Sequence, residues 1–339
     1  MAGQSPWICS RGECCIFRLL KADVRIGCFY FIHPVYQEKE RIMMKQKPIF
    51  RGAATALVTP TTADGIDFAA FGRLIEWQIA QGIDALVICG TTGESSTLND
   101  DEHRAALKFA VDTAAGRVPM IAGTGSNDTA YAVDLTRYAC QIGYDAVLVV
   151  TPYYNKATQK GLVAMYTAIA DASTKPVILY NVPSRTGVGI EPSTYALLAE
   201  HPNIAAIKEA NGNISAIVET RALVGDNLTI YSGNDDQIVP ILSMGGQGVI
   251  SVLSNVLPGE TSLLCKKFFD GDVAGAMEMQ KKYLPLINAL FCEVNPIPAK
   301  AAMAAMGFCE NYLRLPLTPM EDANYQRLLK AMRANGLNV

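Results

Sequence analysis

The sequence predicts a closed parallel (β/α)8 barrel followed by a small C-terminal helical domain. Three observations carry this expectation. Eight short apolar runs alternate with longer amphipathic stretches from residue 52 onward. Their combined span suits one barrel of ordinary size. No Gly-x-Gly-x-x-Gly turn follows the first run, as an open, doubly wound dinucleotide-binding sheet would require.

The apolar runs cover 54–58, 85–89, 119–123, 146–151, 177–180, 204–208, 228–232 and 248–252. Too short for helices and apolar without alternation, they read as strands buried on both faces. Between them, spacings of three and four predict helices over 67–81, 100–115, 128–142, 158–173, 192–201, 214–224 and 237–244, with an eighth after Pro258. Strand patterns stop near residue 271. Helical ones continue at 274–292, 296–306 and 319–334, so the barrel is expected over 48–271 and the helical domain over 272–339.

Residues 1–47 show neither period and are expected to be an N-terminal extension, disordered or arising from the choice of start site. Arg18, Lys21, Asp23 and Arg25 interrupt any secretory apolar core, and Glu13, Asp23, Glu38 and Glu40 are out of place in a transit peptide. Lys39-Glu40-Arg41, if encoded AAG GAG AGG, would supply a bacterial ribosome-binding sequence just before Met43 and Met44. Translation is expected to begin at one of those methionines, and an intact native mass that includes Met1 would refute this.

Composition narrows the function class. Half the residues are hydrophobic and 18% are charged, which excludes a disordered chain. A net charge of -3 gives no basic face for nucleic acid or anionic membrane, and no apolar run is long enough to span a bilayer. The three histidines are far apart, so no histidine-built metal site is expected. Nine scattered cysteines fit a reducing, cytoplasmic compartment better than a disulfide framework.

In a parallel barrel, chemistry gathers at the C-terminal strand ends. Those ends read Cys89-Gly90-Thr91-Thr92-Gly93-Glu94, Thr151-Pro152-Tyr153-Tyr154, Tyr180-Asn181-Val182-Pro183-Ser184-Arg185-Thr186-Gly187, Ile207-Lys208-Glu209 and Ser232-Gly233-Asn234-Asp235. Lys208 is the only lysine that directly terminates an apolar strand. Desolvation there would favour the neutral amine that imine formation needs. Pairing with Glu209, or reaching out to solvent, explains the pattern equally well. Tyr180 could move protons beside it or simply pack at the rim. Arg185 suits bidentate capture of a carboxylate, or is a solvated loop arginine. The Gly90–Gly93 turn suits a carboxylate or phosphate, and Gly245-Gly246-Gln247-Gly248 could be a phosphate cradle, although tight turns alone explain such glycines.

Three of these motifs, Gly90-Thr91-Thr92-Gly93-Glu94, Tyr180 to Gly187, and Ile207-Lys208-Glu209-Ala210, stand in the right order at the right strand ends. From about Phe50 onward, the chain resembles the dihydrodipicolinate synthase family of the pyruvate-dependent class I aldolase superfamily, typified by N-acetylneuraminate lyase. The resemblance implies a Schiff base between Lys208 and pyruvate, then attack of the enamine on L-aspartate 4-semialdehyde in diaminopimelate and lysine synthesis. It implies Tyr180 as proton donor and acceptor, completed by Thr91 and by Tyr154 from an adjacent subunit. It further implies Thr92 on the pyruvyl carboxylate, Arg185 on the semialdehyde carboxylate, and backbone groups of Gly233 and Ile250 lining the pocket. No metal or organic cofactor is implied, and the assembly is a homotetramer of tight dimers. Ser96, His103, Asn127 and Tyr153 match a site through which lysine inhibits many members. Asp100 and Tyr131 depart from it, the latter where a glutamate commonly binds the effector's ammonium. The nearest rival is another aldolase of the superfamily, acting on sialic acid or a 2-keto-3-deoxy sugar acid.

Overall fold

Eight parallel strands close on themselves in the computed structural model, which describes residues 47–339. They are β1 (Gly52–Ala56), β2 (Ala85–Ile88), β3 (Met120–Gly123), β4 (Ala146–Val150), β5 (Val177–Asn181), β6 (Ile204–Glu209), β7 (Thr229–Ser232) and β8 (Gly248–Ser251). Each overlaps one predicted run. The ring is sealed where β8 meets β1, with Gly52 opposite Gly248 and Thr55 opposite Ser251. Gly248 has φ +154°, and a Cβ there would lie 1.9 Å from the Gly52 carbonyl oxygen. Any side chain would therefore force the seam apart. The start expected at Met43 or Met44 falls outside the described residues.

β1 begins two residues earlier than its apolar run. Gly52 and Ala53 carry too little side chain to register as a strand, yet their backbone joins the ladder with β8. At the other end, Leu57 still donates to the Val87 carbonyl at 3.0 Å, but the Val58 amide turns to Asn255 Oδ1 at 3.1 Å. A two-residue hairpin, Thr61–Thr62 with Gly65–Ile66, follows β1. Strands of two residues are too short to show a period, so the sequence did not predict it.

The outer ring is α1 (Phe68–Ala80), α2 (Asp100–Ala114), α3 (Thr129–Gln141), α4 (Gln159–Ala172), α5 (Pro192–Leu198), α6 (Ile214–Val224), α7 (Ile238–Ser243) and α8 (Pro258–Phe269). Side chains of Asp67, Asn99, Asp128, Thr158 and Asn213 cap five of these helices. Each such cap contributes about 1 kcal/mol. At α2 the cap is reciprocal, Asn99 accepting from the Glu102 amide while Glu102 accepts from the Asn99 amide.

Two apolar cores result. One fills the barrel lumen and is unusually rich in small residues: Ala54, Ala56, Ala85, Ala146 and Ala206 face inward with Val87, Ile121 and Ile178. The other lies between strands and helices, and extends into α9 (Val273–Leu290), α10 (Ile297–Ala305) and α11 (Asp322–Ala334) through Ala276, Leu286, Met303 and Met332. Polar ties from α9 and from the segment between α10 and α11 reach the barrel's mouth. Gln280 Nε2 donates to the Asp235 carbonyl at 2.7 Å, and Arg314 forms a forked pair with Glu102 at 2.5 and 2.6 Å.

Candidate active site

Lys208 and Tyr180 lie side by side on adjacent strands, paired in register. Both are buried, Lys208 to 5% exposure, and the amine stands 4.2 Å from the centroid of the Tyr180 ring. A protonated amine gains about 1 kcal/mol from such a ring face. On its other side Lys208 is in register with Tyr231, whose ring stacks on Phe50 and whose hydroxyl donates to the Phe50 carbonyl at 2.8 Å. Among the described residues, no carboxylate forms an ion pair with Lys208.

Glu209, the obvious candidate for such a pair, faces the opposite way. Successive strand residues alternate sides. Its carboxylate accepts from Asn181 Nδ2 at 3.1 Å, the Tyr195 hydroxyl at 2.9 Å and the Asn211 amide at 2.9 Å. Burial pushes that carboxyl up to about 7, against the pull of these donors. Asp235, just past β7, is also buried. Its Oδ2 accepts from the amides of Val252 and Leu253 at 2.9 and 2.8 Å, holding the end of β8. Burial raises its carboxyl above the usual carboxylate range, and the charge of Lys208 acts in the opposite direction.

Across the mouth, Thr91 and Arg185 border a cavity of about 460 Å³ together with Tyr153 and Val182. The turn carrying Thr91 folds on itself, with the Gly93 amide donating to Gly90 O and the Glu94 amide to Thr91 O. Thr92 is buried behind it and accepts a hydrogen bond from Asn295 Nδ2 at 3.0 Å. Arg185 donates through Nη2 to the main-chain carbonyl of the same Asn295 at 3.0 Å. Gly233 and Ile250 sit at the ends of β7 and β8. A Cβ on Gly233 would meet the Ala210 Cβ at 2.7 Å, so only glycine fits this close to the end of β6. Ile250 belongs to the same lumen cluster as Tyr180.

Tyr154 is the outlier. It is 90% exposed with φ +76°, and its side chain does not join the others in the single chain. Ser96, His103 and Tyr153 line the same cavity as Thr91 and Arg185, while Asn127 is tied to it by donating to the Tyr153 carbonyl at 3.2 Å. His103 donates to the Gly123 carbonyl at 3.0 Å, and burial holds its pKa below the ordinary histidine value. Asp100 and Tyr131 also line this cavity. The Asp100 carboxylate is taken by Arg104, at 2.9 and 3.0 Å, and by the Tyr131 hydroxyl.

The glycine-rich turn at 245–248 is no phosphate cradle. The amides of Gly245, Gly246 and Gln247 donate to the carbonyls of Leu242, Ile241 and Ile230, at the end of the barrel opposite Lys208. Sequence reasoning missed Asn295 and the buried ion pair of Glu94 with Lys300, which reaches from the Thr91–Thr92 turn to α10. An Asn-Pro step signals only a turn, and Lys300 reads as one more helical lysine, so no local signal marked either. Among the described residues, no cluster of three His, Cys, Asp or Glu side chains could hold a metal ion, and no helix is long and apolar enough to cross a membrane.

The chain is similar to known proteins over most of its length. The model of the Dihydrodipicolinate synthetase family matches residues 49–335. A protein named 4-hydroxy-tetrahydrodipicolinate synthase from Clostridium perfringens is 51% identical over 289 residues, 85% of this chain and 99% of its own length. Another of that name, from Caldicellulosiruptor saccharolyticus, is 52% identical over 293 residues, 86% of this chain and 99% of its own. Among solved structures, the dihydrodipicolinate synthase of Thermotoga maritima superposes with a TM-score of 0.84 at 42% identity, covering 86% of this chain and all (100%) of that one. That of Cyanidioschyzon merolae, solved with lysine bound, gives 0.83 at 38% identity, with coverage of 86% and 100%. Identity at this level across nearly the whole length of the relatives, on the same barrel, is decisive: the chain belongs to the dihydrodipicolinate synthetase family.

Proposed function

We propose that this protein condenses pyruvate with L-aspartate 4-semialdehyde to give 4-hydroxy-tetrahydrodipicolinate, a step toward diaminopimelate and lysine. The observation that carries the reading is the buried Lys208 amine, without an ion-pairing carboxylate among the described residues, against the face of Tyr180 at a barrel mouth. The amine adds to the keto carbon of pyruvate, and loss of water leaves an iminium. The iminium draws electrons from the methyl group, whose proton departs to give an enamine. The enamine carbon bonds to the aldehyde carbon, whose oxygen takes a proton. The amino group of the second substrate then closes the ring and frees Lys208.

In this scheme Tyr180 carries protons to and from the carbinolamine oxygen, relayed by Thr91 and by Tyr154 of an adjacent subunit. Thr92 holds the pyruvyl carboxylate, Arg185 the semialdehyde carboxylate, and the backbone at Gly233 and Ile250 shapes the pocket. The lysine is itself the electron sink, so the scheme uses neither metal nor organic cofactor. The exposure of Tyr154 supports a homotetramer of tight dimers, which light scattering would test. The setting is taken to be the cytoplasm. Lysine, entering beside Ser96, His103, Asn127 and Tyr153, should inhibit weakly, because Asp100 is already neutralised by Arg104.

Coupled turnover of the two substrates, set beside cleavage of sialic and 2-keto-3-deoxy sugar acids, tests the reaction. Condensation no faster than sugar-acid cleavage would refute it. Borohydride reduction with pyruvate should add a reduced three-carbon adduct at Lys208.

A further inference from the structure

Two polar contacts converge on one residue that lies outside the barrel strands. Asn295 is buried and precedes α10. Its Nδ2 donates to Thr92 Oγ1, its main-chain carbonyl accepts from Arg185 Nη2, and its Oδ1 has no hydrogen-bond partner among the described residues. The contacts span 203 and 110 positions of sequence, so they are made only by the closed fold. The neighbouring ion pair of Lys300 with Glu94 fixes the same two segments to each other, and Lys300 also donates to Thr61 Oγ1 at 2.8 Å.

The direction of the Thr92 contact matters. A threonine hydroxyl has one proton and two lone pairs. When an amide N–H occupies a lone pair, the hydroxyl proton must point elsewhere and is free to donate to an anion. A carboxylate in the amide's place would accept that proton instead and turn the hydroxyl away. We infer that Asn295 is a positioning residue for both substrate subsites. Through its side chain it sets Thr92 as a donor to the first carboxylate, and through its carbonyl it aims Arg185 at the second. This rests on the proposed reaction and adds a group contributed by the C-terminal segment to it.

The test compares Asn295→Asp and Asn295→Ala with the wild type, varying each substrate in turn. Asn295→Asp keeps the shape but reverses the hydrogen bond, so KM for pyruvate should rise about tenfold or more, with a smaller fall in kcat. Asn295→Ala leaves Thr92 free to rotate and should raise it about threefold to tenfold. The pyruvate concentration for half-maximal borohydride trapping should rise in step, while trapping at saturation stays complete and stays on Lys208. Thr92→Val combined with Asn295→Ala should be no worse than Thr92→Val alone, because both act through one hydroxyl. Should the aspartate variant fail to fold, the alanine variant and this cycle carry the test. A pyruvate KM within twofold of wild type in the folded variants, or additive effects in the cycle, would overturn the inference. Failure of the proposed reaction looks different, since the wild type itself would then show no adduct and no condensation.

Discussion

Two lysines are buried among the described residues, and they are held in opposite ways. Lys300 is fully buried on α10 and paired with the Glu94 carboxylate, with Thr61 accepting a further bond. Lys208 is almost as deeply buried on β6, but its amine stands over the face of the Tyr180 ring. Burial lowers the Lys300 pKa, and Glu94 works against it. At Lys208, among the described residues, no carboxylate forms an ion pair with the amine, which stands over the Tyr180 ring instead. Depth alone does not make a nucleophile; what matters is whether a partner anion claims the amine.

Removing each amine should break the comparison most sharply. Lys208→Ala is expected to abolish pyruvate trapping and to cut condensation by at least ~10⁴-fold while leaving the fold intact. Mass spectrometry after borohydride reads this directly, and an adduct that persists would show the wrong amine was chosen. Lys300→Met should act on stability instead. It leaves Glu94 buried without its partner, at a cost of about 3–5 kcal/mol by urea unfolding. Adding Glu94→Gln should recover part of that loss, and a double variant as unstable as the single one would contradict the pairing argument.

The carboxyl next in sequence to Lys208 sharpens the contrast. Glu209 sits near 7 in the folded chain against an ordinary 4.5. Between those values the folded protein holds a proton that the unfolded chain has released. The stability from this group therefore declines as pH rises from 4.5 to about 7 and is level outside that window. Wild type should lose more stability than Glu209→Gln between pH 5 and pH 8, at a rate set by this one proton. Equal changes in the two proteins would count against the assignment. The smallest effect is expected at the rim, where Arg314→Ala removes a partly exposed fork to Glu102. It should cost about 1 kcal/mol and leave trapping at Lys208 unchanged.

Much of this was legible in the chain. Alternating apolar and amphipathic runs announced eight strand–helix units, and the outer-ring helices were foreseen to within a few residues because caps such as Asp67, Asn99 and Thr158 are local signals. The single helical turn Pro183–Thr186 that carries Arg185, by contrast, was expected to be a loop. Lys208, Tyr180 and Arg185 stood out because they sit at strand ends, where the fold collects chemistry. Asn295 and Lys300 did not, since nothing within their own segments distinguishes them from a turn residue and a helical surface lysine. Tyr154, expected to serve a neighbouring subunit, is exposed in the single chain, and only an assembly could bring it to another site.

The sequence by itself therefore determined the eight-unit barrel and the strand that carries the amine, because periodicity, caps and short motifs are properties of neighbouring residues. Only the tertiary structure decided which buried lysine is paired and which is open, and that Asn295 joins Thr92 to Arg185. Those outcomes depend on bringing residues some two hundred positions apart to within a hydrogen bond, and on the strand alternation that sends Glu209 outward while Lys208 turns in.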